Sequence, residues 1–255
     1  MKRVVTVGLR PNILMKYEIE KIGGYSSLFP AKYREMVIGH GTIRDKYPNL
    51  LIGSAANENI LEMLNVKYAL TKPGRAPPWP NARRIYSGDV DIFLAPDYAK
   101  RAYISYDYRV FKGETAMMEF MKSPGFDPGK MVLLWKEPQI KVGPDGFGTG
   151  TTGSSKVEIT SYENESVSME VETDRNGILV LADQNYPGWI ASVDGQERKI
   201  IDANYVLKGL EIEKGRHRVE FEYRPNTFRV GAVISFLTLF LCACAVVIER
   251  RRSIK

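Results

Sequence analysis

The sequence predicts an α+β domain followed by an all-β sandwich of the jelly-roll-like type and one C-terminal transmembrane helix. Helical and strand patterns mix in the first half of the 255 residues, whereas short alternating segments fill the second half. A long run without charges then precedes a basic tail. The predicted units are an α+β domain at 1–142, a Gly-rich linker at 143–155, a β-sandwich at 156–225, a transmembrane helix at 229–248 and a tail at 249–255.

The first half combines short strands with short amphipathic helices. Asn57 can cap a helix whose apolar residues Ile60 and Leu64 share one face. The stretch 72–81 contains four prolines and a glycine, which predicts a loop. The predicted strands are 3–7, 66–71, 91–94, 102–105, 108–111 and 131–135, and the predicted helices are 31–37, 58–64 and 114–121.

The second half is predicted to be all β. Ile178–Ala182 is continuously apolar and suits a central strand, while Arg216–Tyr223 alternates between polar and apolar residues. Asp194-Gly195 between two strand patterns is a strong signal for a type I′ hairpin. Short strands at this spacing indicate a sandwich. The predicted strands are 156–162, 166–173, 177–183, 189–193, 197–201, 205–211 and 216–223.

The apolar run Val230–Ile248 is long enough to cross a bilayer, since a helix of this length spans roughly 28 Å. The alternative is a buried core helix. The cluster Arg250–Arg252 is expected to stay in the cytoplasm. The prediction is therefore a single-pass plasma-membrane protein with most of the chain outside the cytoplasm and a cytoplasmic C-terminus. A tail-anchored cytoplasmic domain is the alternative topology.

The N-terminus shows no signal peptide, because the apolar stretch Val4–Leu9 is too short. A domain that must cross the membrane needs such a signal or an upstream helix. We therefore expect the chain to be the C-terminal piece of a longer membrane protein, with a truncated gene model or a split gene as further explanations.

Composition excludes several classes of function. Of the net charge of +6, the tail from Glu249 to Lys255 carries +3, so no dense basic surface for nucleic acid is expected. Cys242 and Cys244 are the only cysteines, which leaves too few thiolates for a structural zinc site. The sequence thus predicts no metal, no cofactor and no nucleic-acid partner.

Several segments resemble the C-terminal region of bacterial YfhO-type membrane proteins. The longest is "LADQNYPGWIASVDGQERKIIDANYVLKGLEIEKGRHRVEFEYRP" at 181–225, followed by "GAVISFLTLFL" at 231–241. Further segments upstream are similar to the extracytoplasmic region of the same family. They are "GGYSSLFPAKY" at 23–33, "MLNVKYALT" at 63–71, "RAYI" at 101–104 and "FDPGKMVLLWKEP" at 126–138.

This resemblance implies a role in cell-envelope glycosylation. Members of the family look like polytopic GT-C-type glycosyltransferases, which would transfer sugars from polyprenyl phosphates to envelope polymers such as teichoic acids. Their catalytic acid is expected in an early loop between N-terminal membrane helices, which this chain lacks.

We therefore expect this chain to be a non-catalytic part that supports the acceptor glycan or the assembly. Its expected partners are the bilayer through 229–248, an envelope glycopolymer and upstream membrane helices. The alternatives are a structural or interaction module without a glycan role, and a glycosyltransferase active within this chain.

The candidate ligand-binding residues are aromatic. Trp189 follows a Pro-Gly turn and could stack on a sugar ring together with Tyr186 and Tyr205. The competing interpretation makes Trp189 a core residue between two sheets, because Ala191 and Val193 share its strand face.

Two other patterns are weaker signals for chemistry. Asp89-Val90-Asp91 has the form of a metal-binding D-x-D motif, but a solvated strand edge is the favoured interpretation. His217 has no nucleophile motif beside it and is interpreted as a surface or hairpin residue.

Overall fold

The computed structural model describes most of the chain, which is mostly β-sheet with a few helices. The described residues are 3–10, 14–25, 30–38, 50–51, 57–142 and 154–253. The predicted linker therefore lies outside them, apart from residues 154–155, as does the end of the predicted tail at 254–255.

The helices and strands follow the predicted order closely. The helices are α1 Ala31–Ile38, α2 Glu58–Met63, α3 Glu114–Met121 and α4 Asn226–Ser253, with a short 3₁₀ turn at Met15–Tyr17. The strands of the first half are β1 Arg3–Val7, β2 Gly24–Tyr25, β3 Leu50–Leu51, β4 Val66–Thr71, β5 Arg83–Ser87, β6 Asp91–Leu94, β7 Ala102–Ser105, β8 Asp107–Val110 and β9 Met131–Leu134. The strands of the second half are β10 Ser155–Tyr162, β11 Ser166–Thr173, β12 Gly177–Gln184, β13 Trp189–Val193, β14 Gln196–Arg198, β15 Ile201–Ala203, β16 Leu207–Ile212 and β17 Gly215–Tyr223.

The N-terminal sheet has the strand order β1-β4-β6-β5. Strand β1 pairs in parallel with β4, which follows α2 directly. The predicted cap of α2 is confirmed, because the Asn57 side chain accepts a hydrogen bond of 3.0 Å from the amide of Asn59. Strand β5 was not predicted from the sequence, since all five of its residues are exposed and no apolar alternation marks it.

Two larger sheets form the sandwich. The five-stranded sheet has the order β10-β11-β17-β13-β14, and the six-stranded sheet has the order β7-β12-β16-β15-β9-β8. Strands β7, β8 and β9 precede the predicted linker in the chain, yet they pair within the same sheet as β12, β15 and β16. The sandwich therefore extends across the predicted domain boundary at 143–155.

The six-stranded sheet is covered on both faces, and strand β12 shows how. Ile178 and Val180 belong to a first core that also includes the N-terminal sheet and the three short helices. Leu179 and Leu181 belong to a second core between the two sandwich sheets. The predicted central position of this strand is confirmed, since β12 lies between β7 and β16. Burial on both faces explains why its sequence is apolar without alternation.

The segment 197–201 was predicted as one strand, but the structure has two short strands there, and the chain passes from one sheet to the other between them. Strand β14 belongs to the five-stranded sheet and β15 to the six-stranded sheet. The predicted strand at 205–211 also starts later, because Asn204 and Tyr205 have φ angles of 46° and 79° and form a turn. The type I′ hairpin is confirmed, with φ angles of 53° at Asp194 and 79° at Gly195.

Helix α4 follows the last strand after two residues and is 28 residues long. Its side chains point largely to solvent, and Phe236, Leu239 and Phe240 are 76%, 71% and 67% exposed. Within the described parts of the chain, no helix reaches the combined length and apolar character needed to cross a membrane. The predicted transmembrane helix at 229–248 is therefore not confirmed.

Candidate functional site

The three predicted aromatic residues do not form one surface. Tyr186 lies in the turn before β13 and is 49% exposed. Tyr205 is completely buried in the first core, where its ring lies 5.6 Å from that of Trp135. A sugar cannot reach Tyr205, so its prediction as a glycan contact is wrong. The cause is the turn at Asn204 and Tyr205, which directs the phenol ring inward.

Trp189 lies at one end of the second core. Its ring packs 5.6 Å from the ring of Tyr223 on the neighbouring strand, and Ala191 on the same strand face is buried. The ammonium nitrogen of Lys208, on the opposite sheet, lies 3.9 Å from the indole centroid. This cation–π contact occupies ring surface on which a sugar would stack. The contacts favour the interpretation of Trp189 as an anchor between the sheets.

Lys208 occupies an inward-facing position of β16 and is only 2% exposed. Its Nζ donates a hydrogen bond of 2.9 Å to the carbonyl oxygen of Gln184. Burial lowers the pKa of Lys208 to about 8, and the carboxylate of Asp183 opposes this shift. The only signal for this site in the sequence is a lysine inside the segment Val206-Leu207-Lys208-Gly209-Leu210, which otherwise has no polar side chain.

Asp183 is the centre of a buried ionic cluster at the end of β12. Arg3 and Arg101 contact the same carboxylate oxygen at 2.6 and 2.8 Å. The hydroxyl of Tyr162 donates to the other oxygen at 2.7 Å. Burial raises the pKa of Asp183, but the positive charges of Arg3 and Arg101 outweigh this effect and lower it overall. We call these four residues together with Glu20 the Asp183 junction.

Glu20 completes the junction as its second carboxylate. Arg101 Nη1 donates to Glu20 at 2.8 Å, and Arg3 Nε lies 3.6 Å from the same carboxylate. Arg3 also donates to the carbonyl oxygen of Leu64 at 3.3 Å. The junction therefore connects the N-terminal sheet to both sheets of the sandwich. Sequence reasoning missed it, although a charged residue at the end of a fully apolar strand, as at Asp183, was a possible signal.

A groove opens at the side of the sandwich beside β14. Its volume is about 370 Å³, and a smaller cavity of about 190 Å³ adjoins it and shares Lys199 and Glu211. Apolar side chains such as Ile140 and Leu210 contribute to its lining. The Glu211 carboxylate closes one end by accepting hydrogen bonds from the amides of Gln139 and Ile140 at 2.9 and 3.1 Å.

The groove offers both donors and acceptors. Lys136, Arg198 and Lys199 line it, are exposed, and make no ion pair with another described residue. Glu137 and Glu213 supply carboxylates. Such a mixture above an apolar floor matches the chemistry of a polyhydroxylated chain, whose hydroxyl groups donate and accept and whose C–H faces are apolar.

His217 lies at the edge of this groove. Its Nδ1 contacts the Asp194 carboxylate at 2.8 Å, and its Nε2 lies 3.1 Å from the carbonyl oxygen of Glu213. Asp194 also accepts from the amide of Arg218 at 2.8 Å. These bonds hold the hairpin turn against β17, which agrees with the interpretation of His217 as a hairpin residue.

Asp91 of the D-x-D motif has a structural role in the N-terminal sheet. It is 3% exposed and accepts hydrogen bonds from the Ser87 hydroxyl at 2.7 Å and from the amide of Gly74 at 3.2 Å. The interpretation as a solvated strand edge is therefore wrong for Asp91, because its carboxylate closes a loop instead. Among the described residues, no group of three histidine, cysteine or acidic side chains could hold a metal ion.

Among the described carboxylates, Glu62 of α2 has the largest upward shift in pKa. Burial raises its pKa to about 7, and the negative charges of Asp97 and Asp127 add to the effect, while Lys130 opposes it. Two acidic residues of neighbouring loops therefore act electrostatically on this carboxylate of α2.

Part of the chain is similar to one family of known proteins. Residues 150–235 match the model of a family described as bacterial membrane protein YfhO. The uncharacterized protein YfhO of Bacillus subtilis (strain 168) is 25% identical over 88 residues, which is 34% of this chain and 10% of that protein. The match thus spans about a tenth of the length of that relative. No solved structure matches the chain.

Removing the central charge of the junction should destabilise the fold. Asp183→Asn leaves two arginines without their shared buried partner, so we expect the free energy of unfolding to fall by about 3–5 kcal/mol at neutral pH. The pKa of Asp183 is lower in the folded protein than in the unfolded chain. The ionised carboxylate therefore stabilises the fold fully at pH values above the usual carboxyl pKa, and this stabilisation is lost as the pH falls through the lowered pKa. Urea unfolding of the full chain in detergent measures both effects.

Glu158→Gln is the matched control for this prediction, since Glu158 forms an exposed ion pair with Lys156 at 3.0 Å. Its expected cost is below about 1 kcal/mol. Equal costs for the two variants would contradict the role of the junction.

Glu62 should make the protein less stable as the pH rises. Its folded pKa of about 7 lies above the usual value of 4.5, so the folded state binds more protons and stability falls between these two values. Glu62→Gln should remove this slope and stabilise the protein at pH 8 by about 1–2 kcal/mol, after allowance for solvent screening. Thermal unfolding at pH 5 and pH 8 tests this. A wild-type slope that persists in the variant would contradict the assignment to Glu62.

Proposed function

Because residues 150–235 match the family of bacterial membrane protein YfhO, we propose that this chain is the membrane-anchored, extracytoplasmic part of a protein that acts in envelope glycosylation. In this proposal the chain itself supports an acceptor glycan and does not catalyse the transfer. The family match carries the proposal, because it covers β10 to β17 and continues into the first ten residues of α4. Strands β10 to β17 and the start of the apolar helix therefore lie within one family match.

The membrane anchor in this proposal is helix α4. Its apolar side chains are exposed on all sides rather than along one stripe, as the exposure of Val230, Phe236 and Leu241 illustrates. A helix of this length extends about 42 Å, more than the thickness of a bilayer core. The basic residues Arg250–Arg252 at its C-terminal end support a cytoplasmic location for that end, with the sandwich on the other side of the membrane.

The acceptor glycan in this proposal lies in the groove beside β14. The groove is open, and its three cationic side chains, which make no ion pair with a described residue, can donate hydrogen bonds to sugar hydroxyls. The alternative function is a structural or interaction module without a glycan role. It is favoured by the burial of Tyr205 and by the cation that covers the Trp189 ring. Activity of a glycosyltransferase within this chain is a further alternative.

The anchor is tested by membrane fractionation of the full chain expressed in bacteria. We expect the chain to sediment with membranes, to resist washing with carbonate and to be released by detergent. Phe236→Arg with Leu239→Arg should shift it to the supernatant, because charge at the centre of a bilayer is costly. Ile85→Arg with Tyr86→Arg is the control, since these exposed apolar residues lie on β5. A wild-type chain in the supernatant would contradict the proposal.

The glycan role is tested by retention of the purified full chain on sugar-substituted teichoic acid, with the unsubstituted polymer for comparison. Replacing Lys136, Arg198 and Lys199 by alanine removes three donors. We expect binding about 10–100-fold weaker, from roughly 0.5–1 kcal/mol for each lost hydrogen bond.

The control for this test removes the same number of charges elsewhere. Lys156, Arg175 and Arg216 are each paired with an acidic residue outside the groove. Their replacement by alanine should leave retention unchanged. Equal losses in the two triple variants would show non-specific charge attraction, and failure of the wild type to bind would favour the module without a glycan role.

A further inference from the structure

One end of the sandwich is attached closely to the base of α4. The amide of Tyr223 donates to the carbonyl oxygen of Glu165 at 2.8 Å, and the amide of Arg224 donates to that of Gly188 at 2.7 Å. The helix begins at Asn226. The turn at 163–165 and the turn at 185–188 are therefore fixed beside the first residues of the helix. We call these two turns, together with Tyr223–Pro225, the helix-proximal end.

Gly188 makes this attachment close. It has a φ angle of 105°, which residues with a side chain rarely adopt. A Cβ atom at this position would lie 2.9 Å from the ring of Tyr223 and 3.2 Å from the Cα atom of Pro225. The turn at 185–188 therefore packs directly against the chain that leads into α4, and its position relative to the helix is fixed by this packing.

The helix-proximal end carries an exposed tyrosine and an open cleft. Tyr186 is half exposed at the tip of the turn. A cleft of about 700 Å³ between this end and the helix is lined by Glu165, Tyr223, Pro225 and Thr227. Tyrosine is enriched at membrane–water interfaces because its ring is apolar and its hydroxyl group is polar.

The exposed charges at this end are acidic on balance, since its one exposed cation in the described residues, Arg224, is paired. Glu163 and Glu165 lie in one turn, and Arg224 is paired with Glu222 at 2.6 Å. A carboxylate attracts the ammonium group of a zwitterionic headgroup and repels an anionic lipid. The charge of this end therefore favours phosphatidylcholine or phosphatidylethanolamine over phosphatidylglycerol.

We propose that the helix-proximal end rests on the outer surface of the bilayer, with Tyr186 at the level of zwitterionic lipid headgroups. This inference depends on the proposed function only in that α4 must lie in the membrane. It assigns to Tyr186 contact with lipid rather than with sugar. Gln196 of β14 pairs with Val193 at the opposite end of β13, which lies on the order of 15 Å further from the membrane along the strand direction.

The depth of spin labels in phosphatidylcholine nanodiscs tests the proposal. In the full chain with Cys242→Ser and Cys244→Ser, single cysteines are introduced as Tyr186→Cys, Gln196→Cys or Leu239→Cys and labelled with a nitroxide. Collision rates with oxygen and with a water-soluble nickel complex report the depth. We expect the label at 186 within about 5 Å of the phosphate level, that at 196 in water and that at 239 inside the bilayer.

The outcomes separate this inference from the function on which it rests. A label at 186 in water, with the label at 239 in the bilayer, would overturn the seating of the sandwich and leave the anchor intact. A label at 239 in water would overturn the anchor itself. In phosphatidylglycerol nanodiscs the label at 186 should move towards water, because Glu163 and Glu165 meet an anionic surface. An unchanged or deeper position there would overturn the assignment to zwitterionic headgroups.

Discussion

The buried carboxylate of Asp183 connects parts of the chain that are far apart in sequence. Arg3 from β1 and Arg101 from the start of β7 both reach one of its oxygens, and Tyr162 from the end of β10 reaches the other. If one partner were missing, the remaining groups would be buried away from water without a compensating hydrogen bond or ion pair. The N-terminal sheet and both sandwich sheets must therefore be in place together for the cluster to be satisfied. That requirement favours one relative arrangement of the three sheets.

The six-stranded sheet imposes a second constraint, because it is buried on both faces. Its central strand β12 needs a partner on each side, and β7 from the first half supplies one of them. The helices of the first half then cover the face that the five-stranded sheet leaves open, as Met117 and Met121 do from α3. The two halves of the sequence thus form one continuous structure, although a glycine-rich segment separates them in the chain.

The sequence predicted elements well where the signal is local. The cap at Asn57, the hairpin at Asp194-Gly195 and the apolar strand β12 all depend on a few neighbouring residues, and all three are present. Pairing between distant segments has no local signal, so the shared sheet and the Asp183 junction were not predicted. The accessibility of the candidate site residues also depends on packing that has no local signal. The strand pattern alone predicts an accessible Tyr205, whereas a turn with two positive φ angles directs it into the core.

Strand β17 joins the sandwich rigidly to helix α4. It pairs with β11 on one side and β13 on the other, and only Arg224 and Pro225 separate it from the helix. Proline restricts the backbone at this point, and the amide of Arg224 is bonded to Gly188, so the connection has little freedom. With α4 in a membrane, the direction of the helix therefore sets the tilt of the whole sandwich. The groove lies towards the end of the sandwich opposite to α4, because its lining includes Asp194 after the far end of β13 and His217 near the start of β17.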